Sequence, residues 1–199
     1  MRSSNVMHIG LLFVILVLGS LPAAGQVKAG LPVLVTSCGQ SPGPVKLKVF
    51  INKLKLDHVY ELKATAADLL AKKKQGAPFQ SVIIVTGASL KGMGAAGVSI
   101  NEEIDRIKAL IVEAKKQNMK VIGAHIEGMS RRAQGAAAGD NSDEMSIDAV
   151  CPQSSLLLVR KDGDEDGRFT TISKNRKIPM ISFEKNMDLE GILQNLFSK

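Results

Sequence analysis

Residues 81–126 read SVIIVTGASLKGMGAAGVSINEEIDRIKALIVEAKKQNMKVIGAHI, and the fold can be argued outward from them. Val82-Ile83-Ile84-Val85 is apolar without alternation, the mark of a strand whose two rows of side chains are both shielded from water. From Ser99 to Asn118 the period changes. Ile100, Ile104, Ile107, Leu110 and Ile111 fall on one helical stripe, and Ser99 with Glu102 forms a capping box that starts the helix. Lys120 to Ile126 is again a strand-like run. Strand, amphipathic helix, strand is a βαβ unit, which makes the two strands parallel and the crossover right-handed.

The same alternation continues in both directions. Leu31 to Thr36, His58 to Leu62, Ser155 to Arg160 and Pro179 to Phe183 are short apolar runs bounded by turn residues, and each predicts a strand. Thr65 with Asp68 opens a helix over Ala66 to Lys74, and Leu189, Ile192, Leu193 and Leu196 share one face of a helix over Asp188 to Phe197. Val45 to Leu56 carries two signals. Lys46-Leu47-Lys48-Val49 alternates as a strand does, whereas Pro44 and the spacing of Val45, Val49, Phe50 and Leu54 fit the helix that is expected. The whole pattern predicts an α/β fold: a doubly wound, mostly parallel sheet of five or six strands with helices on both faces, flavodoxin-like or Rossmann-like.

Met1 to His8 carries one cation, Arg2, and no acid, and it leads into an apolar run from Ile9 to Leu18. Gly19, Pro22 and the small residues Ala23-Ala24-Gly25 follow, the layout of a signal peptide cut before Gln26. The run is shorter than the roughly 20 residues that span a bilayer. The expectation is therefore a cleavable signal over residues 1–25, a single α/β domain over 26–199, a periplasmic or extracellular location, and membrane contact only in transit. The net charge of +7 favours attraction of small anions, and with aromatics at 4% no nucleic-acid partner is expected. Export implies an oxidising compartment, yet Cys38 follows one expected strand and Cys151 precedes another. Opposite edges of a parallel sheet would separate them, so no disulfide is expected.

In an open parallel sheet, ligands bind outside the carboxyl ends of the strands. The loops expected there are polar or glycine-rich: Ser37 to Ser41, Gly87 to Gly97, His125 to Arg132, Asp162 to Gly167, and Glu184-Lys185. Gly92-Met93-Gly94-Ala95-Ala96-Gly97 spells GxGxxG ahead of a capped helix. No acid ends the next strand at dinucleotide spacing and no Gly-Lys-Ser/Thr is present, so no cofactor is predicted. Two readings stay open. One is a loop cradling a carboxylate, phosphate or sulfate with Ser89, Lys91, Gly92, Gly94, Gly97 and Ser99, gripped by Arg131 and Arg132 from a lid; the other is a close-packed turn. His125 and Glu127, two residues apart on one side of a strand, would form an oriented base for Cys38 or Ser89 in acyl transfer or hydrolysis. The plainer reading makes His125 structural, and no GxSxG elbow is present. Asp162, Asp164 and Asp166 follow the DxDxDG order of a calcium loop. Ser173 stands where its bidentate glutamate would be, which leaves an acidic turn capping a helix over Arg168 to Asn175 as the alternative.

Gly87 to Gly97, His125 to Arg132 and Asp162 to Thr170 together resemble an uncharacterised family of exported bacterial α/β proteins, a domain of unknown function with a GASxKGxGAAG-like motif. The resemblance implies export and the fold, and it assigns no activity. The functional expectation is a binding module for a small anionic carboxylate or phosphate. The alternatives are a hydrolase or acyl-transfer enzyme on Cys38 or Ser89 with His125, and an accessory protein of a transporter or envelope complex.

Overall fold

The computed structural model describes residues 27–135 and 138–198, so the expected signal peptide lies outside the described residues. Six strands form one sheet: β1 (Val33–Cys38), β2 (His58–Tyr60), β3 (Ser81–Thr86), β4 (Lys120–His125), β5 (Leu156–Arg160) and β6 (Met180–Phe183). Their spatial order is β2-β1-β3-β4-β5-β6 and every neighbouring pair is parallel. This is the flavodoxin-like order and not the Rossmann order, in which the strand sequence begins 3-2-1. From β1 the chain winds toward one edge of the sheet, and from β3 it winds toward the other. The gap between β1 and β3 is the topological switch point.

Among the described residues, seven α-helices cover the sheet: α1 (Gly43–Lys53), α2 (Ala66–Lys74), α3 (Leu90–Ala96), α4 (Ile100–Lys116), α5 (Ser142–Val150), α6 (Arg168–Arg176) and α7 (Leu189–Phe197). Leu47, Phe50 and Ile51 of α1 and Leu189, Leu193 and Leu196 of α7 pack on Val33, Val35, Ile83, Val85, Ile122 and Leu158. On the opposite face α2, α4 and α5 lie over Leu34, Val82, Ile84 and Val121, while Phe169 of α6 lies over Leu157 and Val159. The four central residues of β3 thus divide evenly between the two faces and all are fully buried, each contributing roughly 1.5–3 kcal/mol. Both expected capping boxes form, Thr65 with Asp68 and Ser99 with Glu102. The ambiguous segment is helical because burial follows the helical period: Leu47, Phe50 and Ile51 are inside, whereas Val45 and Val49 are 54% and 58% exposed.

The glycine-rich segment differs from expectation. It is the short helix α3 and not a loop. Ser89 starts it by accepting the Gly92 N–H at 3.0 Å, and Gly97 ends it in the left-handed region at φ +67°. Gly92 sits against the loop after β1 so closely that a Cβ there would collide with the Gln40 carbonyl oxygen. At the other pole, the residues before β1 lie along the last turn of α7. The Ala29 N–H donates to Leu196 O at 2.9 Å, and Lys28 Nζ donates to Asn195 O at 2.9 Å. Helices return antiparallel to the strands, so this is the amino edge of the sheet. No helix among the described residues is long and apolar enough to cross a membrane.

Candidate functional site

Parallel strands bring the loops after β1, β3 and β4 to one rim, where they interlock. The Ser89 N–H donates to Gly39 O at 2.8 Å, and Gln40 pairs with Ala88 in an isolated antiparallel bridge. This crossing needs glycine at position 39, where φ is +101° and a Cβ would come within 2.7 Å of the Ala88 backbone. Arg131 joins from the third loop, its Nη1 donating to Ala88 O at 3.0 Å.

Buried side chains hold these loops from beneath. The Glu103 carboxylate of α4 accepts the Gly39 N–H and Gln40 Nε2, both at 2.9 Å, and pairs with Arg106 at 2.8 Å; Arg106 in turn donates to Ser37 O at 2.6 Å. From α5, Ser146 accepts the Gly87 N–H at 3.0 Å and Asp143 accepts the Ala88 N–H at 2.6 Å. Burial pushes the Asp143 carboxyl above its usual range. The backbone N–H groups of Gly39, Gly87, Ala88, Ser89 and Gly92 are therefore engaged by the protein itself.

A different cluster stands beside the switch point. The α1 N-terminus has no side-chain cap from Pro42, which occupies that position, and Ser41 Oγ accepts the Gly43 N–H only at 3.3 Å. Glu127 supplies one from the loop after β4: its Oε2 accepts the Gly43 N–H at 2.9 Å. Above this carboxylate, which is 3% exposed, lie Lys46, 42% exposed and 3.4 Å from Oε1, and Arg131, 25% exposed with Nε 3.6 Å from Oε2. The Arg131 Nε is buried without a hydrogen-bond partner. Two cations thus face one anion at the positive end of a helix.

The expected catalytic arrangement does not assemble. His125 is the last residue of β4, so the alternation stops there and Glu127 turns away from it. His125 packs against Phe169 of α6 at 4.8 Å between ring centroids, while Glu127 reaches α1 on the opposite face. Both imidazole nitrogens are engaged, Nδ1 with Thr86 Oγ1 at 3.1 Å and Nε2 with Gly128 O at 3.0 Å. Burial drives the ring's pKa down to about 4, which leaves it neutral near pH 7. Cys38 is wholly buried, its thiol pushed up to about 12 chiefly by burial, and Ser89 is occupied in capping α3. Cys151 is also buried, and both thiols are free.

The expected anion-binding residues separate in the same way. Arg132 is 2% exposed and ion-paired with Glu144 at 2.7 Å and Asp166 at 2.5 Å, with a further hydrogen bond to Gly163 O; it is a buried tie and not part of a lid. Lys91 and Gly94 are exposed on α3, Gly97 ends that helix, and Ser99 is held in the α4 capping box by Glu102. The three aspartates of the calcium-like order diverge. Asp162 pairs with Arg160 at 2.5 Å, Asp164 caps α6 through the Phe169 N–H at 2.6 Å, and Asp166 joins Arg132. Among the described residues no group of three or more His, Cys, Asp or Glu could hold a metal ion. Lys46 is not among the candidate binding residues named from the sequence. The available signal was Pro42-Gly43-Pro44, a helix start immediately after a rim loop, with a lysine in its first turn.

A family model described as a domain of unknown function (DUF6305) matches residues 30–197. No curated protein matches the chain. Among solved structures, it is similar to a psychrotrophic esterase, EstA, from Pseudoalteromonas sp., at 12% identity over 85% of this chain and 96% of that one, with a TM-score of 0.37. The acetyl xylan esterase AlAXEase is similar at 10% identity, 79% and 80% coverage and a TM-score of 0.39. A GDSL-like lipase from Bacteroides thetaiotaomicron is similar at 15% identity, 81% and 70% coverage and a TM-score of 0.33. Likeness at this level carries no functional inference. The family match is of another kind: it runs from just before β1 to the end of α7, and the chain belongs to the family of the domain of unknown function DUF6305.

Proposed function

We propose that this protein is an exported binding module that takes a small anion, a carboxylate or a phosphate, between Lys46 and Arg131 at the rim beside the β1–β3 switch point. One observation carries the reading: two part-exposed cations contact a single buried carboxylate through long contacts, 3.4 and 3.6 Å, and so keep donor capacity for a ligand arriving from solvent. The position also obeys the rule that open α/β sheets bind outside the carboxyl ends of their strands. Export rests on the residues 1–25 pattern. No catalytic step is proposed, because no candidate nucleophile touches a candidate base.

The test is a thermal-shift titration with phosphate, sulfate, acetate and citrate on the wild type and on Lys46→Ala, Arg131→Ala and Lys91→Ala. At a hundredfold excess over Kd, binding adds about 2.7 kcal/mol, a midpoint rise of several degrees. We expect that rise in the wild type and in Lys91→Ala, and its loss in the other two variants. The reading fails if no anion raises the wild-type midpoint, or if Arg131→Ala responds as fully as the wild type.

A further inference from the structure

Resting on that reading, we infer that Glu127 is a built-in competitor for the anion, a side chain that occupies part of the seat and sets how strongly the site discriminates ligands by charge. Three features lead there. The carboxylate fills the place an external anion would take at the α1 N-terminus, accepting the Gly43 N–H at 2.9 Å, closer than Ser41 Oγ at 3.3 Å. It is drawn in closely: a Cβ on Gly43 would lie 3.0 Å from Glu127 Oε2 and 3.3 Å from Ser41 Oγ, so any larger residue at position 43 would crowd the carboxylate. It also lies behind its cations, 3% exposed where Lys46 and Arg131 are 42% and 25% exposed.

An anion approaching from solvent therefore meets the two cations first and feels the Glu127 charge through them, at roughly two successive ion-pair contacts, about 6 Å. At an effective dielectric midway between protein surface and water, that repulsion weakens a monoanion about tenfold, and a dianion by about the square of that factor. Glu127 thus attenuates the site's preference for doubly charged ligands.

Calorimetric titration of sulfate and acetate into the wild type and Glu127→Gln tests this. The glutamine keeps an oxygen for the Gly43 N–H while removing the charge. Acetate should bind the variant about tenfold tighter and sulfate about a hundredfold tighter, so that the sulfate-to-acetate preference widens. A change in packing alone would not widen it. Glu127→Ala, which leaves Ser41 Oγ at 3.3 Å to take the Gly43 N–H, should shift affinity the same way and covers the case in which the glutamine variant does not fold. If the wild type binds and the variants bind equally or more weakly, Glu127 is a positioning residue and the inference is wrong while the seat stands. If neither wild type nor variants bind either ion, the seat itself is wrong.

Discussion

Acid should unfold this protein partly through one histidine. His125 is fully buried, with Nε2–H donating to Gly128 O at 3.0 Å and Nδ1 accepting from Thr86 Oγ1 at 3.1 Å; these partners fix the neutral tautomer. Burial, reinforced by the Arg132 charge, lowers its pKa from 6.5 to about 4. The unfolded chain then takes up a proton near pH 6.5 that the folded chain refuses until about pH 4. Stability from this group is complete above that window and is lost as pH falls through it. At 1.36 kcal/mol for each tenfold change, the loss is about 2 kcal/mol at pH 5 and approaches about 3 kcal/mol at pH 4. His125→Gln isolates the effect, because every other titrating group is shared with the wild type. The chain has no tryptophan, so urea unfolding is followed by circular dichroism between pH 7 and pH 4.5. The variant is expected to be less stable at pH 7, and the gap should narrow by about 2 kcal/mol on reaching pH 5. A gap constant across the range would refute the neutral, proton-excluding histidine.

Two further outcomes follow from packing. Gly94→Ala, at an open helical position with nothing within 4 Å of the new methyl, should raise stability by about 0.5–1 kcal/mol, whereas Gly92→Ala, which strikes the Gln40 carbonyl, should cost about 2 kcal/mol; thermal denaturation of the pair reads both signs. Arg132→Met should cost about 2 kcal/mol by urea denaturation, since it removes the charged hydrogen bonds to Asp166 and Gly163 O and leaves Glu144 with Arg168 as its remaining cation, and a loss under about 0.5 kcal/mol would show that the arginine is not a structural tie.

The sheet sandwich was readable because its signals are local. The unbroken Val82 to Val85 run and the Ile100 to Ile111 stripe each declare their burial through periodicity alone, and caps such as Ser99 with Glu102 sit three residues apart. Convergence of the loops on one rim followed from strand direction. What stayed hidden depends on contacts distant in sequence. The seat joins Gly43 to Glu127 across 84 positions, and Arg132 finds Asp166 34 positions away. Nothing local marks where β4 stops, yet stopping at His125 sends Glu127 to the other face of the sheet. The glycines of α3 have poor helix propensity and suggested a loop; a cap at Ser89 and close packing on Gln40 override that preference.

The contacts of Lys28 and Ala29 with the end of α7 bring both ends of the described chain to the pole farthest from Lys46 and Arg131. A purification tag, a fluorescent fusion or a biotinylated linker can be attached after α7 without standing in front of the seat. Protein captured on a sensor chip by such a handle would be oriented with its cationic rim toward the flowing analyte.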